Sequence, residues 1–413
     1  MAPGIPSGNP GVERRKTLVL SQLAEGKNLG ILVYCLSSIS GGAVSYLRNM
    51  APLLDKEFEK SSDGHNLIFL AHEDQRSLLE SINDFRIVWI EGRRPTGYRR
   101  ILWEQMNISR LVRQEAIDVL FTPYQIGPRA QGVKHVMMIR NMEPFRFTKY
   151  RYSIVTWLRN QLLRRESSRL LRAADRVIAV SEFVRDELIQ GIGVEKNRIR
   201  MIYHGRNETL APGGDAQKDS LLLRKLGIVN DYILTCGSLL PYRRCEDVVA
   251  AFNQCADNLH AGVQLVIAGA VTDRRYGKFI RRAIAASPYR DRILALGHVP
   301  WETMAALYRS CLLCVLATEI EACPNIAIES MAAGCVIISS DRPPLPEMFG
   351  GASLEYHARD IDHLVEQMRR GIDQEELRRE MKTRALKRAD AFSWEKCARE
   401  TYAALTDWQD KEH

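Results

Sequence analysis

The feature that most constrains this chain is a rhythm that it runs through twice: short, almost wholly apolar runs, each separated from the next by a longer amphipathic stretch. The first series is LGILVYCL (29–36), NLIFLA (66–71), FRIVWI (85–90), VLFTP (119–123), KHVMMIR (134–140), RVIAVS (176–181) and RMIYHG (200–205). A Gly-Gly turn and a helix-like stretch from Ala43 to Leu54 follow the first run. Apolar runs without alternation suit strands covered on both faces, and their helical connections imply parallel pairing. Residues 206–218, RNETLAPGGDAQK, break the rhythm with polar, Pro and Gly residues and read as a linker. It restarts with YILTCGS (232–238), QLVIAGA (264–270), RILALGH (292–298), LLCVLAT (312–318) and VIISSD (336–341). The expectation is an α/β protein of two Rossmann-like, doubly wound parallel-sheet domains. Its parts are a loose tail over 1–27, a first domain over 28–208, a second over 209–385, and a C-terminal helical segment over 386–413 packing across the domain junction.

Composition narrows the class. At 413 residues, 46% hydrophobic and 26% charged, the chain has a soluble, globular balance and room for two domains. No run approaches the ~18 uninterrupted apolar residues of a membrane span, and MAPGIPSGNPGVERRK does not read as a signal peptide. The nine cysteines are scattered; the lone CxxC, Cys311 with Cys314, sits in an apolar strand and reads as buried thiols in a cytoplasmic protein. The net charge of +8 is unevenly spread: residues 1–208 hold 32 Lys and Arg against 22 Asp and Glu, the remainder 26 against 28. Such a basic first half suits either an anionic partner or a merely solvated surface.

The stretch TEIEACPNIAIESMAAG (318–334) carries the most chemistry. A buried strand ends before it. Pro324 suits a first helical turn, and Gly334 a helix stop. The N–H groups of Asn325, Ile326 and Ala327 are expected to face an anion at the strand's C-terminal end. Glu321 and Glu329 flank that point. They fit a ligand with phosphate in the middle and hydroxyls at both ends, a nucleotide sugar; they also fit a solvated loop glutamate followed by a surface-helix one. In CGSLLPYRRCEDVVAAF (236–252), Arg243 and Arg244 enter a helix start, where cations oppose the macrodipole unless a phosphate lies between them. Gly41 and Gly42 allow close backbone approach to a ligand or simply a tight turn. Ser181 reads as a helix cap, and Asp360-Ile361-Asp362 as another rather than a metal-diphosphate site. There is no GxxxxGK[ST], HExxH or repeated CxxC, so neither a P-loop nor a metal site is expected, and no cofactor.

In order along the chain, these stretches resemble glycosyltransferase family 4, retaining enzymes of the GT-B fold. The signature with two glutamates eight apart stands as Glu321-ACPNIAI-Glu329, followed by MAAGCVII; the glycine-and-basic loop stands as GSLLPYR, and VSEFVRDEL and YHG are also present. The resemblance implies two such domains facing each other across a cleft and transfer from a UDP- or GDP-sugar. Glu329 would hold the donor ribose. Glu321 would meet the transferred sugar, helped by main-chain groups from Ala322 and Cys323 through Pro324 to Asn325. Arg243 would hold the diphosphate in the loop of Gly237 and Ser238, with Arg244 as a second cation, and Gly41 and Gly42 would approach the phosphates. The chain departs from the family at Ala322, where Gly is common, at Ser238, and at Arg140-Asn141, where a His-Asp pair is usual. An arginine is no base at neutral pH, so Arg140 is expected to hydrogen-bond sugar hydroxyls or a carboxylate.

The reaction so implied is metal-independent transfer with retention, in which the departing phosphate oxygen takes the acceptor's proton and positioning with charge stabilisation supplies the catalysis. The acceptor would be a glycan or lipid-linked glycan in bacterial surface polysaccharide or glycolipid assembly. The basic, Trp157-containing stretch 150–176 would rest on an anionic membrane or pack into the core. Competing readings are a nucleotide-sugar-binding protein without turnover and a GT-B epimerase or phosphorylase; nucleic acid is not an expected partner.

Overall fold

The computed structural model describes residues 28–38, 41–83, 86–92, 97–150, 152–259 and 262–408. The tail expected over 1–27 lies outside the described residues, as do Ile39 and Ser40 of the first glycine turn. Of the described residues, those up to Asn141, Leu162–His204 and those from Trp394 onward form one unit; Met142–Gln161 and Gly205–Ser393 form the other.

In the first unit, seven parallel strands make one sheet: β1 (Gly30–Tyr34), β2 (Asn66–His72), β3 (Ile87–Ile90), β4 (Val119–Thr122), β5 (Lys134–Ile139), β6 (Arg176–Ala179) and β7 (Ile199–Met201). Their order, β3-β2-β1-β4-β5-β6-β7, reverses direction beside β1. Such a switch point leaves a crevice at the strands' C-terminal ends, where doubly wound sheets bind ligands. Every residue of β1, β4 and β6 is buried, which is why these runs are apolar throughout rather than alternating. Helices α1 (Gly42–Lys60), α2 (Gly97–Gln114) and α3 (Ile154–Ala173) connect strands; the first half of α3 counts with the other unit. The strand expected over 200–205 is shorter than its apolar run. It stops at Met201, and His204 packs as a buried ring, 5.2 Å from Tyr46 and 5.6 Å from Trp394 between centroids.

The second unit repeats the plan with β8 (Tyr232–Cys236), β9 (Gln264–Ala268), β10 (Ile293–Gly297), β11 (Leu313–Leu316), β12 (Ile337–Ser340) and β13 (Leu354–Tyr356), ordered β10-β9-β8-β11-β12-β13 and all parallel. Helix α4 (Ala216–Lys225) precedes these strands, and between and after them run α5 (Cys245–Cys255), α6 (Arg274–Ala285), α7 (Trp301–Ser310), α8 (Asn325–Ala332), α9 (Ile361–Asp373) and α10 (Glu375–Ala389). The stretch read as a linker to 218 ends sooner: Asp215 accepts bonds at 3.0 Å from the N–H groups of Gln217 and Lys218 and starts α4. Three-residue β13 is an addition, since an edge strand that short leaves no periodic trace. The cap readings hold: Ser181 accepts from Val184 N–H at 3.2 Å, and Asp360 from His363 N–H at 2.9 Å.

The chain then returns to the first unit through α11 (Trp394–Thr406). Tyr402 donates to Ser61 Oγ at 2.6 Å and sets its ring 4.8 Å from Phe58 of α1, and Arg176 donates to the Ala404 carbonyl at 2.6 Å. All nine cysteines are buried free thiols.

Candidate functional site

The loop from β11 to α8, residues 317–324, gathers the sequence-predicted groups of the second unit. Glu321 reaches Arg243 Nη2 at 3.1 Å, with 11% and 18% of the two side chains exposed, and accepts from Thr318 Oγ1 at 3.0 Å. Burial pushes the Glu321 carboxyl up from its ordinary value, and Arg243 and Thr318 pull it back. Burial likewise opposes the Arg243 charge, but Glu321 together with Tyr242 and Cys236 more than offsets it, so the guanidinium is held cationic. Its Nε and Nη1 are buried with no hydrogen-bond partner among the described residues. Unpaired buried donors are costly, so this fork has capacity for an acceptor that the chain does not supply.

Gly237 makes room for that fork. Its φ is +112°, and a Cβ there would stand 2.6 Å from Arg243 Nη1; any side chain would be strained and would push the guanidinium aside. Arg244 behaves otherwise than expected. It caps α5 in the left-handed region at φ 49° and is claimed by carboxylates of the first turn, Glu246 at 2.7 Å and Asp247 at 2.7 Å. The cation that seemed to oppose the dipole is neutralised by its own helix, and nothing in that arrangement calls for phosphate.

Glu329 lies one turn into α8. It accepts from the hydroxyl of Tyr308, on α7, at 3.0 Å. Burial pushes its carboxyl up to about 7, with the tyrosine bond working against the rise. Tyr308 is fully buried and also lies 3.3 Å from Cys236 Sγ. Of the amides expected to face an anion, the Ala327 N–H is committed to the Pro324 carbonyl at 3.0 Å, as the first turn tightens after proline. Ala322 and Cys323 are buried, Pro324 caps α8, and Asn325 and Ile326 are half-buried. Ser238 follows Gly237 half-buried.

Sequence reasoning missed Tyr308 and Glu319. Glu319 takes a two-pronged bond from Arg359 at 3.0 and 2.9 Å and one from Tyr150 at 3.1 Å, and its N–H donates to the Tyr242 carbonyl at 2.8 Å. It braces the loop between Arg243 and Glu321. Neither residue has a signal in the sequence, because each matters through partners remote in the chain. A separate cavity of about 450 Å³, lined by Gly213, Asp219 and Arg309 among others, contains none of the predicted residues; its ion pair, at 2.8 Å, is satisfied within the chain.

In the first unit, Gly41 has φ 55° and caps α1, whose first residue is Gly42. Arg140 follows β5, its guanidinium 4.6 Å above the Tyr46 ring, and its backbone N–H donates to Gln125 Oε1 at 3.4 Å. Among the described residues, no group of His, Cys, Asp and Glu is arranged to hold a metal ion.

The family model for Glycosyltransferase Family 4 matches residues 40–210, and that for Glycosyl transferases group 1 matches residues 224–388; together they cover most of the chain. Among curated proteins it is 24% identical, over 54% of its length, to the serotype-specific mannosyltransferase WbdA of Escherichia coli, spanning 27% of that protein. It is 23% identical, over 57% of its length, to the O-antigen chain mannosyltransferase B of Escherichia coli, spanning 61% of it. The chain thus spans about a quarter to three fifths of these relatives. Among solved structures it superposes on Anabaena HepE in complex with UDP and glucose, with a TM-score of 0.71 and 17% identity over 92% of this chain and all of that one. It superposes equally, at 0.71 and 17%, on the sucrose-phosphate synthase of Thermosynechococcus elongatus, over 91% of this chain and 97% of that one.

Proposed function

Because this chain belongs to the family 4 and group 1 glycosyltransferases and has their GT-B fold, we propose that it moves a sugar, with retention and without a metal, from a UDP- or GDP-sugar to a glycan or lipid-linked acceptor, in surface polysaccharide or glycolipid assembly. The observation that carries this reading is Arg243, pinned through Nη2 by Glu321 while Nε and Nη1 have no partner among the described residues. A diphosphate offers the acceptors that those donors lack. In transfer, the acceptor hydroxyl attacks the anomeric carbon on the face the diphosphate leaves. The carbon–oxygen bond to the diphosphate breaks, and the departing phosphate oxygen takes the hydroxyl proton. Arg243 stabilises the charge that builds on the leaving group. Glu321 orients the transferred sugar, and Glu329 accepts from ribose hydroxyls. The mannosyltransferase relatives support a surface-glycan setting, and the UDP complex of HepE supports a nucleoside diphosphate donor. A thermal-shift panel tests this directly: UDP or GDP is expected to raise the melting temperature by several degrees, and no response to either would remove the donor site.

We also assign the acceptor side to an anionic membrane surface. No helix among the described residues is long and apolar enough to cross a membrane, yet α3 opens with Ile154 79%, Val155 76%, Leu158 51% and Leu162 66% exposed, beside a half-exposed Trp157. Exposed Arg159, Arg164, Arg165 and Arg169 flank them. An apolar stripe beside arginines suits the headgroup region of anionic lipid. The protein is expected to sediment with phosphatidylglycerol-containing vesicles and not with pure phosphatidylcholine, and the double variant Ile154→Glu with Leu158→Glu to lose that binding; equal sedimentation of the variant would remove the assignment.

A further inference from the structure

The first unit carries a buried cation with no carboxylate partner among the described residues. Nε, Nη1 and Nη2 of Arg140 are all buried, and none has a hydrogen-bond partner among the described residues. The groups that interact with it electrostatically are Tyr46, Tyr124 and Cys397, none a carboxylate. The Tyr46 ring lies under it at 4.6 Å, and a cation–π contact recovers only a small part of what burying a guanidinium costs. Burial accordingly lowers the Arg140 pKa from its ordinary value. Chains rarely keep such a group unless something outside them completes it.

Its position narrows what completes it. The strands are parallel, so the ends of β5, which precedes Arg140, and of β1, which precedes α1, lie on the same edge of the sheet. Tyr46 belongs to the second turn of α1, so the guanidinium stands beside the N-terminal end of a 19-residue helix, the positive end of its dipole. A Cβ added at Gly41, which caps that helix, would meet nothing within 4 Å; the space there is open. The β1–α1 connection also brings two buried hydroxyls, Ser37 Oγ and Ser38 Oγ, without partners among the described residues. A guanidinium fork and a helix N-terminus on one edge, with no carboxylate among the described residues paired to either, match an oxyanion.

We propose that Arg140 and the first turn of α1 form a subsite for an oxyanion carried on a sugar, a carboxylate or a phosphate, so that the enzyme acts on an anionic saccharide. The proposal rests on the glycosyltransferase reading above, in which Arg243 serves the diphosphate, and it gives Arg140 the charge on the sugar itself. The residue is then a specificity determinant, selecting the charged sugar over its neutral counterpart.

The test uses the full chain and binding calorimetry. UDP and GDP alone are measured first; if neither binds, the donor-site reading fails and the subsite has not been reached. With the nucleotide that binds, two arms follow. The donor arm compares its glucose and glucuronate conjugates, for instance UDP-glucose and UDP-glucuronate. The acceptor arm compares free glucose, glucuronate and glucose 6-phosphate at saturating nucleotide. The expected result is a preference of tenfold or more for the charged member in one arm, which identifies donor or acceptor as its carrier. Arg140→Gln should abolish the preference while leaving free-nucleotide affinity unchanged, and Arg140→Lys should restore part of it. Because the glutamine variant removes an uncompensated buried charge, it should also melt above wild type without ligand. Equal binding of charged and neutral sugars, a preference that survives Arg140→Gln, a loss of free-nucleotide affinity in that variant, or a lower melting temperature for it would each overturn the proposal.

Discussion

Replacing Arg243 with glutamine is expected to lower kcat roughly 10²–10³-fold, the usual cost of removing one donor that stabilises developing oxyanion charge. KM for the nucleotide sugar should rise less, because the guanidinium's worth grows as charge moves onto the diphosphate. The variant also strands Glu321, whose carboxylate has Arg243 at 3.1 Å and Thr318 at 3.0 Å as its partners in the loop. Breaking a largely buried pair costs about 3 kcal/mol, so the single variant confounds catalysis with stability. The double variant Arg243→Gln with Glu321→Gln separates them: it replaces the pair by two neutral amides and should recover most of the melting temperature without recovering kcat. Steady-state kinetics with thermal denaturation on the same preparations reads both. If the double variant regains activity with stability, Arg243 is a structural cation and not a transition-state one.

Glu329→Ala is expected to reduce nucleotide affinity by about 10–100-fold, the range for losing hydrogen bonds to a charged acceptor. Wild type should show a pH dependence that this variant lacks. Burial holds the Glu329 carboxyl at about 7, above its ordinary value, so in the empty protein it is mostly protonated below neutrality. A neutral carboxyl accepts ribose hydroxyls poorly, so affinity should climb roughly tenfold from pH 6 to pH 8 as the ionised fraction rises. Stability runs the other way. A carboxyl raised on folding favours the folded state below its unfolded value near 4.5, and that advantage drains away as pH rises through about 7. Glu329→Gln should therefore melt above wild type at pH 8, match it more closely at pH 5, and bind nucleotide without the slope. A flat affinity profile in wild type would show that Glu329 is already ionised, held so by more than Tyr308.

The placement of Glu321, Glu329 and Arg243 at strand ends and helix starts was legible because each sits in a short, local pattern. Spacing and the buried LLCVLAT strand left the glutamates undecided between a ligand site and a wet surface, and the resemblance to glycosyltransferase family 4 tipped the balance. Arg244 misled for a definite reason. Adjacent arginines look alike in sequence, but Glu246 and Asp247 follow Arg244 at helical distance, and its left-handed backbone turns the fork onto them. The amide of Ala327 misled similarly, since a first turn that closes on the Pro324 carbonyl uses a donor that spacing counted as free. Tyr308 and Glu319 were invisible: one stands 21 residues before the carboxylate it holds, the other is held by Tyr150, 169 residues away.

By itself, the sequence determined the class of the fold and which residues stand at the strand ends. An apolar run that cannot alternate must be covered on both faces, and a helix starting after it must aim its N-terminus at the sheet's C-terminal edge. Those are consequences of local periodicity. Which charges are satisfied was decided only by tertiary structure, because a guanidinium's state depends on what packs within a few ångströms of it. Among the described residues, Arg244 is neutralised by neighbours, Arg243 is pinned by one nitrogen and left with two unpaired, and Arg140 is buried over a ring with no carboxylate partner. The same residue type thus takes three electrostatic states in one chain.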